Sequence, residues 1–342
     1  MSVDPARRLT PVVRLAPAKL NLTLAIVGRR PDGYHALHSV MVPLAVADRL
    51  SLVPDPSSTA RDTLRTEGFD AGPPAENLVV RAIEAARRAV RGHLPAAPPA
   101  LAVRLEKRIP VAAGLAGGSS DAAAAIDGAL EAWGVADALG PDERSSLAAA
   151  VGSDVPFFLG GGPALVEGRG ERVTPLHGLR LAPGEPAPGI LLVTPSVSAH
   201  TAAVFGAWAG GSMGEPGVVR RTSEHFASEF GAGLTGRQLL ERAGVLASAN
   251  DLIPAAAAVV EGLVPFRRAL TRLLGRPIGL SGSGPTLWAL YPSVGDADVA
   301  GASVRAAVGT GFIDPPGSQP PFIAATMILP TLPRPDNERS VP

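Results

Sequence analysis

The sequence has 342 residues, 46% of them hydrophobic, with 31 Lys and Arg balanced by 31 Asp and Glu and with no cysteine. This length is enough for one large domain or two smaller ones, and the zero net charge provides no basic field for a nucleic acid or an anionic membrane surface. The lack of cysteine excludes disulfides, thiolate catalysis and Cys-ligated metal sites.

The N-terminal stretch predicts two strands, at 12–15 and 20–27, and no targeting or membrane segment. No apolar run approaches a membrane span, and residues 1–10 lack a signal-peptide core, so we expect a cytoplasmic protein. Lys19, Asn21 and Thr23 alternate with aliphatic residues and form either a solvated sheet face or the wall of a site. Only Lys19 and Lys107 among the 31 basic residues are lysine. Because Arg serves solubility equally well, this scarcity favours the site.

A turn at 31–33 follows and sets Tyr34 beside His35. An adjacent Tyr and His can stack on and hydrogen-bond a ring, although packing at a loop edge is the alternative. The next elements predicted are a strand at 40–52, a loop at 54–76, a helix capped by Asn77 and a strand at 100–105.

A glycine-rich loop then leads into an alanine-rich helix. Gly114, Gly117 and Gly118 can take positive φ, and the helix has good N-cap candidates in Ser119, Ser120 and Asp121. A helix N-terminus behind such a loop presents unpaired N–H groups and the positive end of a dipole. We therefore interpret the loop as a phosphate-binding site, and the alternative is a tight turn with close helix packing. The residues of this predicted phosphate loop are Pro110, Val111, Ala112, Ala113, Gly114, Leu115, Ala116, Gly117, Gly118, Ser119 and Ser120.

A helix predicted from Pro141 to Gly152 precedes Asp154, which lies in a turn as either a local backbone acceptor or a side chain facing a cleft. A Pro- and Gly-rich linker at 183–189 divides the chain into domains at 1–183 and 184–330, with a disordered tail at 331–342. The second half reads as α+β, with strands at 190–194, 278–281, 285–291 and 322–329 and helices at 201–208, 236–246, after Pro254, 266–274 and 298–307.

Three motifs, in order, resemble those of the GHMP small-molecule kinases. They are Pro17-Ala-Lys-Leu-Asn21, the loop Pro-x3-Gly-Leu-x-Gly-Gly-Ser-Ser beginning at Pro110, and Leu280-Ser-Gly-Ser-Gly-Pro285. No Walker P-loop or Gly-x-Gly-x-x-Gly pattern is present. Further matches are Asp32-Gly-Tyr-His35, Asp154-Val-Pro156 and Asn250-Asp251. These are similar to the branch of the family whose alcohol substrate carries a cytidine diphosphate group.

The resemblance implies a two-domain α+β fold, with a ribosomal-S5-like N-terminal domain and a ferredoxin-like C-terminal domain. It implies transfer of the γ-phosphoryl group of ATP, with Mg²⁺, to the 2-hydroxyl of a small molecule in the non-mevalonate route to isoprenoids. A monomer or homodimer without nucleic-acid or membrane partners is expected. The roles implied by residue are Lys19 and Asp154 as the catalytic pair, the loop 110–120 for ATP phosphates, Asn77 and Lys107 for adenosine, Asn21, Tyr34, His35, Thr201 and Phe205 for the substrate, and Ser120 for the metal.

The loop departs from the family at Ala112 and Ala116, where glycine is common, and their methyl groups restrict φ. Gly206 follows Phe205 where some members carry a basic residue. Two alternatives stay open at this point: a family kinase for another alcohol, such as homoserine or mevalonate, and a non-catalytic nucleotide-binding or RNA-binding protein on the same fold. Zero net charge disfavours the RNA-binding protein, and the presence of both Lys19 and Asp154 disfavours an inactive enzyme.

Overall fold

The structure, a computed structural model, describes residues 11–55, 61–94, 96–209 and 217–330, so the predicted tail at 331–342 lies outside the described residues. The chain divides into two units, each built from three separate segments. The first unit comprises Met1–Ala16, Ala47–Ile109 and Gly117–Leu159, and the second comprises Pro17–Val46, Pro110–Ala116 and Gly160–Pro342. The predicted domains at 1–183 and 184–330 are a different, contiguous division, and they stay a prediction.

Strands and helices alternate irregularly along the described residues. The strands are β1 Val12–Asn21, β2 Ala25–Arg29, β3 His35–Asp55, β4 Thr63–Gly68, β5 Ala100–Lys107, β6 Ala164–Gly168, β7 Arg172–Pro175, β8 Gly189–Thr194, β9 Gly279–Leu280, β10 Leu287–Tyr291 and β11 Phe322–Met327. The α-helices are α1 Leu78–Ala89, α2 Gly117–Ala132, α3 Pro141–Val151, α4 Val155–Leu159, α5 Thr201–Ala209, α6 Val218–Gly231, α7 Gly236–Glu241, α8 Ala243–Leu246, α9 Ile253–Val259, α10 Leu263–Leu274 and α11 Val294–Gly309. No helix among the described ranges is both long and apolar enough to cross a membrane.

The first unit packs helices on a sheet. The C-terminal part of β3 pairs antiparallel with β5, and β5 pairs in parallel with β4. Small residues let α2 approach its neighbours closely, since a Cβ on Gly128 would stand 2.7 Å from Leu52 Cδ1. The core is aliphatic, with Leu50, Ile83 and Ile126 fully buried. This packing fixes the direction of α2, whose first residues end the phosphate loop.

The second unit contains an antiparallel four-stranded sheet in the order β11-β8-β10-β9. Helices α9, α10 and α11 contribute Ala256, Phe266 and Val304 to its core. The N-terminal part of β3 pairs antiparallel with β2 and β6 in the same unit. Two predicted motifs, at 17–21 and 280–285, therefore belong to one unit despite their separation in sequence.

Several predicted elements are confirmed and others are wrong. The helix capped by Asn77 is present, because its side chain accepts a hydrogen bond from the Val79 amide. The predicted strand at 20–27 is two strands, β1 and β2, with a break at 22–24. The predicted loop at 54–76 contains β4, which its pairing with β5 stabilises. Helix α6 was not predicted at all.

Candidate functional site

Lys19 lies near the end of β1, and its side chain is almost wholly buried, with 4% exposure. Its ammonium donates to the Asn21 Oδ1 and to the Gly114 carbonyl at 2.8 Å, while its backbone amide donates to the Leu115 carbonyl at 3.0 Å. A buried ammonium needs such oxygen partners because desolvation otherwise disfavours its charge. The strand and the phosphate loop thus meet at this cation.

The Gly-Ser-Gly motif of the second half reaches the same place. Ser281 Oγ donates to the Gly114 carbonyl at 2.9 Å, the acceptor that Lys19 also uses. Gly282 has a φ of 57°, and a Cβ there would stand 3.1 Å from Lys19 Nζ. Asn250 Nδ2 holds the motif by donating to the Gly282 carbonyl at 2.9 Å. Glycine adopts this φ without strain, and it leaves room for the Lys19 ammonium, which a Cβ at 282 would crowd.

A buried polar network orients Asn21. Its Nδ2 donates to Ser39 Oγ at 2.8 Å, and Ser39 Oγ donates to the Thr23 carbonyl at 2.5 Å. Asn21, Thr23 and Ser39 are all buried. The alternative of a solvated sheet face is therefore wrong, because the polar row of Lys19, Asn21 and Thr23 is enclosed and hydrogen-bonded.

The phosphate loop adopts a chain of left-handed turns. Ala112, Gly114 and Ala116 have φ values of 54°, 76° and 52°. Helix α2 begins directly afterwards, at Gly117. The expectation that Ser119, Ser120 or Asp121 caps the helix is wrong, since all three lie inside it. Gly117 and Gly118 likewise take helical rather than positive φ.

Lys107, the other lysine, is buried between two carboxylates. Its ammonium is paired with Asp48 and lies 2.7 Å from Asp121 Oδ2, and Asp48 Oδ1 also accepts from the Ile109 amide at 2.8 Å. Burial raises the pKa of Asp121 to about 7, opposed by Lys107 and assisted by Asp48. We call Lys107, Asp48 and Asp121 the ion triad. Its ammonium is already engaged, and the predicted adenosine contact of Lys107 stays a prediction.

Three further predicted site residues belong to the first unit. Ser120 Oγ is buried and has no hydrogen-bond partner within the described ranges. Asp154 is half-buried in the turn that immediately precedes α4. Asn77 also belongs to this unit, as the cap of α1.

The predicted substrate-side residues lie in the second unit. The rings of His35 and Phe205 stack, with their centroids 5.3 Å apart. The rings of Trp208 and His35 pack edge to face, with their centroids 5.1 Å apart. Burial lowers the pKa of His35, and the positive charge of Arg29 lowers it further. We therefore expect a neutral ring, with one donor and one acceptor nitrogen, at neutral pH.

Tyr34 and Thr201 occupy different surroundings. Tyr34 is 54% exposed, and the Arg169 guanidinium lies 5.7 Å from its ring centroid. Thr201 begins α5, and its hydroxyl is 3.2 Å from that of Ser283 in the Gly-Ser-Gly motif. Thr201 is thereby tied to the loop that contacts Gly114.

Three residues that contact predicted site residues were not predicted from the sequence: the polar residues Ser39 and Asp48 and the aromatic residue Trp208. Ser39 and Asp48 are polar residues within the long, mainly apolar strand β3, and that interruption was an available signal. Trp208 lies one helical turn after Phe205, so helical spacing places the two rings on the same face of α5.

Comparison with known proteins gives consistent matches along the chain. A profile of the GHMP kinases N terminal domain matches residues 77–162. A protein of Pelotomaculum thermopropionicum named 4-diphosphocytidyl-2-C-methyl-D-erythritol kinase is 36% identical over 298 residues, 86% of this chain and 94% of the relative. The protein of that name in Methylorubrum extorquens strain PA1 is 40% identical over 306 residues, 88% and 96% of the two chains.

Solved structures agree on the fold. A crystal structure of 4-(cytidine 5'-diphospho)-2C-methyl-D-erythritol kinase superimposes with a TM-score of 0.63 at 31% identity, covering 92% of this chain and 99% of that one. The L. major mevalonate kinase, crystallised with R-mevalonate, has a TM-score of 0.66 at 15% identity, covering 96% and 99%. The second likeness, at this low identity, supports the α+β two-domain fold alone.

Proposed function

Because the chain belongs to the family of 4-diphosphocytidyl-2-C-methyl-D-erythritol kinases within the GHMP kinases, we propose that it phosphorylates 4-diphosphocytidyl-2-C-methyl-D-erythritol. The γ-phosphoryl group of ATP is transferred to the 2-hydroxyl, a step of isoprenoid precursor synthesis by the non-mevalonate route. The observation that supports this most directly is the buried ammonium of Lys19, held by Asn21 and the Gly114 carbonyl.

Lys19 is assigned two tasks. Phosphoryl transfer from ATP to an alcohol requires an attacking oxygen held in line and compensation for charge on the equatorial oxygens. A preorganised, desolvated ammonium supplies both, since it donates hydrogen bonds and its charge is poorly screened. The hydrogen bonds from Lys19 to Asn21 and to the Gly114 carbonyl hold its ammonium in a fixed position.

Asp154 is assigned as the base that accepts the proton of the attacking hydroxyl. Its position in a turn directly before α4, half-buried, leaves the carboxylate accessible to a substrate. A carboxylate that accepts this proton contributes about 10²–10⁴-fold to the rate of such reactions. The assignment of Asp154 and Lys19 as the catalytic pair rests on the family resemblance of their motifs.

ATP phosphates are assigned to residues 110–120 and the start of α2. Residues in the left-handed region, here Ala112, Gly114 and Ala116, occur in backbone nests that bind anions, and the dipole of α2 adds positive potential at Gly117. Ser120 Oγ, buried without a partner in the described part of the chain, fits a role as an oxygen ligand for Mg²⁺. When bound with ATP, Mg²⁺ neutralises part of the phosphate charge.

The cytidine diphosphate part of the substrate is assigned to Asn21, Tyr34, His35, Thr201 and Phe205. The neutral His35 ring, stacked on Phe205, presents a donor and an acceptor suited to the edge of a pyrimidine. Tyr34 and Phe205 supply aromatic surface on which a base can stack, an interaction worth about 1–3 kcal/mol. Thr201 adds a hydroxyl beside the Gly-Ser-Gly motif.

Two substitutions test the catalytic pair. Asp154→Asn removes the base at constant size, and Lys19→Met removes the ammonium while retaining a long side chain. We expect each to lower kcat by about 10²–10⁴-fold, because each deletes an interaction made to the reacting groups. The KM for ATP of Asp154→Asn should stay within about threefold of wild type, because Asp154 lies outside the loop at 110–120.

Steady-state ADP release measures both parameters, and a thermal melt checks that each variant is folded. Asp142→Asn is the matched control, since Asp142 is an exposed carboxylate in the first turn of α3. Wild-type turnover in both Asp154→Asn and Lys19→Met would contradict the assigned roles.

A further inference from the structure

A cavity of about 380 Å³ lies in the second unit, apart from the residues assigned above. It opens beside α10 and β9, and its walls are mainly aliphatic: Ala247, Ile253, Leu263, Ile278, Leu280 and Leu287. This volume is within the range of small-molecule sites in proteins, about 300–1,000 Å³. We call it the α10 cavity.

Two guanidinium groups line this apolar cavity. Arg267 donates from Nε to the Ile278 carbonyl at 2.7 Å and from Nη2 to the Ala247 carbonyl at 2.9 Å, both neutral acceptors. Burial lowers the pKa of Arg267. Arg268, exposed at the rim, has no carboxylate partner within the described ranges. Positive charge without a nearby counter-charge, partly removed from water, favours an anionic ligand.

The cavity wall is continuous with the loop that contacts Lys19. Leu280 and Leu287 line the cavity at the two ends of the Gly-Ser-Gly segment. Ser281, next to Leu280, donates to the Gly114 carbonyl at 2.9 Å, and Lys19 donates to the same oxygen at 2.8 Å. Asn250 also links the two, through the Leu280 carbonyl at 3.0 Å and the Gly282 carbonyl. A displacement of Leu280 therefore changes the position of an acceptor that orients Lys19.

We propose that the α10 cavity is an inhibitory effector site for a small anion that carries an apolar chain. The chain packs on the aliphatic walls, and the anionic group pairs with Arg268 and the uncompensated charge of Arg267. Occupancy displaces Leu280 and, through Ser281, disturbs the hydrogen bonds at Gly114 that position Lys19. Binding itself is independent of the proposed function, whereas the inhibition rests on it.

Binding is tested with n-octyl phosphate, at concentrations below those at which it forms micelles, by titration calorimetry on the full chain. Inorganic phosphate has only the anionic group of this ligand, and n-octanol has only its apolar chain. Each should bind at least about tenfold more weakly than octyl phosphate. Arg268→Gln and the cavity-filling Ala257→Phe should each lower the affinity for octyl phosphate by about tenfold, which is equivalent to about 1.4 kcal/mol of binding free energy.

Matched controls lie next to the substituted residues. Arg272 is one turn further along α10 and outside the cavity lining, and Ala258 is exposed beside Ala257. Arg272→Gln and Ala258→Phe should leave the affinity within about twofold of wild type. No detectable binding to wild type, or equal affinity in Ala257→Phe, would overturn the proposal.

Inhibition is tested in the presence of ATP and the alcohol substrate. Octyl phosphate should lower kcat, and Ala257→Phe should abolish the effect while retaining basal activity. Binding that leaves kcat unchanged would overturn the coupling to Lys19. Absence of kinase activity with every alcohol would instead count against the proposed function, while calorimetry still decides whether the cavity binds its ligand.

Discussion

Ala112 and Ala116 are the residues at which the phosphate loop departs from its family, and both adopt the conformation that glycine adopts. Their φ values of 54° and 52° lie in the left-handed region, which costs an L-residue about 1–2 kcal/mol. Methyl groups at these positions were expected to restrict φ. Both alanines nevertheless adopt the left-handed conformation, so the loop keeps its shape and the substitution lowers the stability of the protein.

Replacing either alanine by glycine should therefore stabilise the protein. Ala112→Gly and Ala116→Gly should each raise the free energy of unfolding by about 0.5–1 kcal/mol. This net gain is the backbone strain that is relieved, minus the stability that is lost because glycine gives the unfolded chain more conformational entropy. The KM for ATP should change by less than about threefold, because the backbone already has the required φ. Urea unfolding and steady-state kinetics provide the two readouts.

Ala113→Gly is the control for this pair. Ala113 is buried, and its φ is not positive, so the substitution only removes a packed methyl group and adds chain entropy. We expect a loss of about 1 kcal/mol. Destabilisation by Ala112→Gly and Ala116→Gly to the same extent would contradict the strain argument.

At the scale of elements, the ion triad joins β3, β5 and α2 of the first unit. One cation, Lys107, faces the two carboxylates of Asp48 and Asp121 in a buried place. Two negative charges against one positive charge leave an excess that burial penalises, which is why the pKa of Asp121 is raised to about 7. Below that pH a proton on Asp121 neutralises the excess charge.

This shift predicts a pH dependence of stability. A folded-state pKa of about 7, above an ordinary value of 3.8, gives stability that is fully present below pH 4 and is lost as pH rises through 7. Between pH 5 and 8, wild type should therefore lose about 2–3 kcal/mol relative to Asp121→Asn, which carries no titrating group. Urea unfolding at pH 5, 6.5 and 8 measures the difference.

Asp142→Asn, on the exposed first turn of α3, provides the control and should follow wild type at every pH. If the stability of Asp121→Asn and wild type changed in parallel with pH, Asp121 would not titrate in this range and the account of the ion triad would be wrong.

Elements were predictable where local pattern decides them. The cap at Asn77 and the aliphatic face of α1 were visible in the sequence. Helix α6 was not, because its buried face includes Ser223, whose hydroxyl bonds Thr23 at 2.7 Å and His38 at 2.9 Å, so the apolar stripe is interrupted. Strand β4 was taken for loop because its pairing with β5 is non-local.

At the scale of the whole molecule, the two units are interleaved along the chain. Pro17–Val46 and Pro110–Ala116 belong to the unit that contains the last half of the sequence. The linker predicted at 183–189 rests on composition alone, whereas this interleaving depends on contacts such as Lys19 and Ser281 with Gly114, made across large sequence separations. The motifs nevertheless identified the family, since their residue types are tied to phosphate chemistry.

The central claim, that the chain phosphorylates an alcohol carrying cytidine diphosphate, is tested most directly by a substrate panel. ADP release would be measured with ATP and Mg²⁺ and, in turn, 4-diphosphocytidyl-2-C-methyl-D-erythritol, mevalonate and homoserine. We predict a kcat/KM at least about 10³-fold higher for the first substrate than for mevalonate or homoserine, and we predict that CDP competes with it. Mevalonate and homoserine have no cytidine diphosphate group, so they leave the polar and aromatic residues assigned to that group without a partner. Equal or faster turnover of mevalonate or homoserine, without any effect of CDP, would contradict the claim.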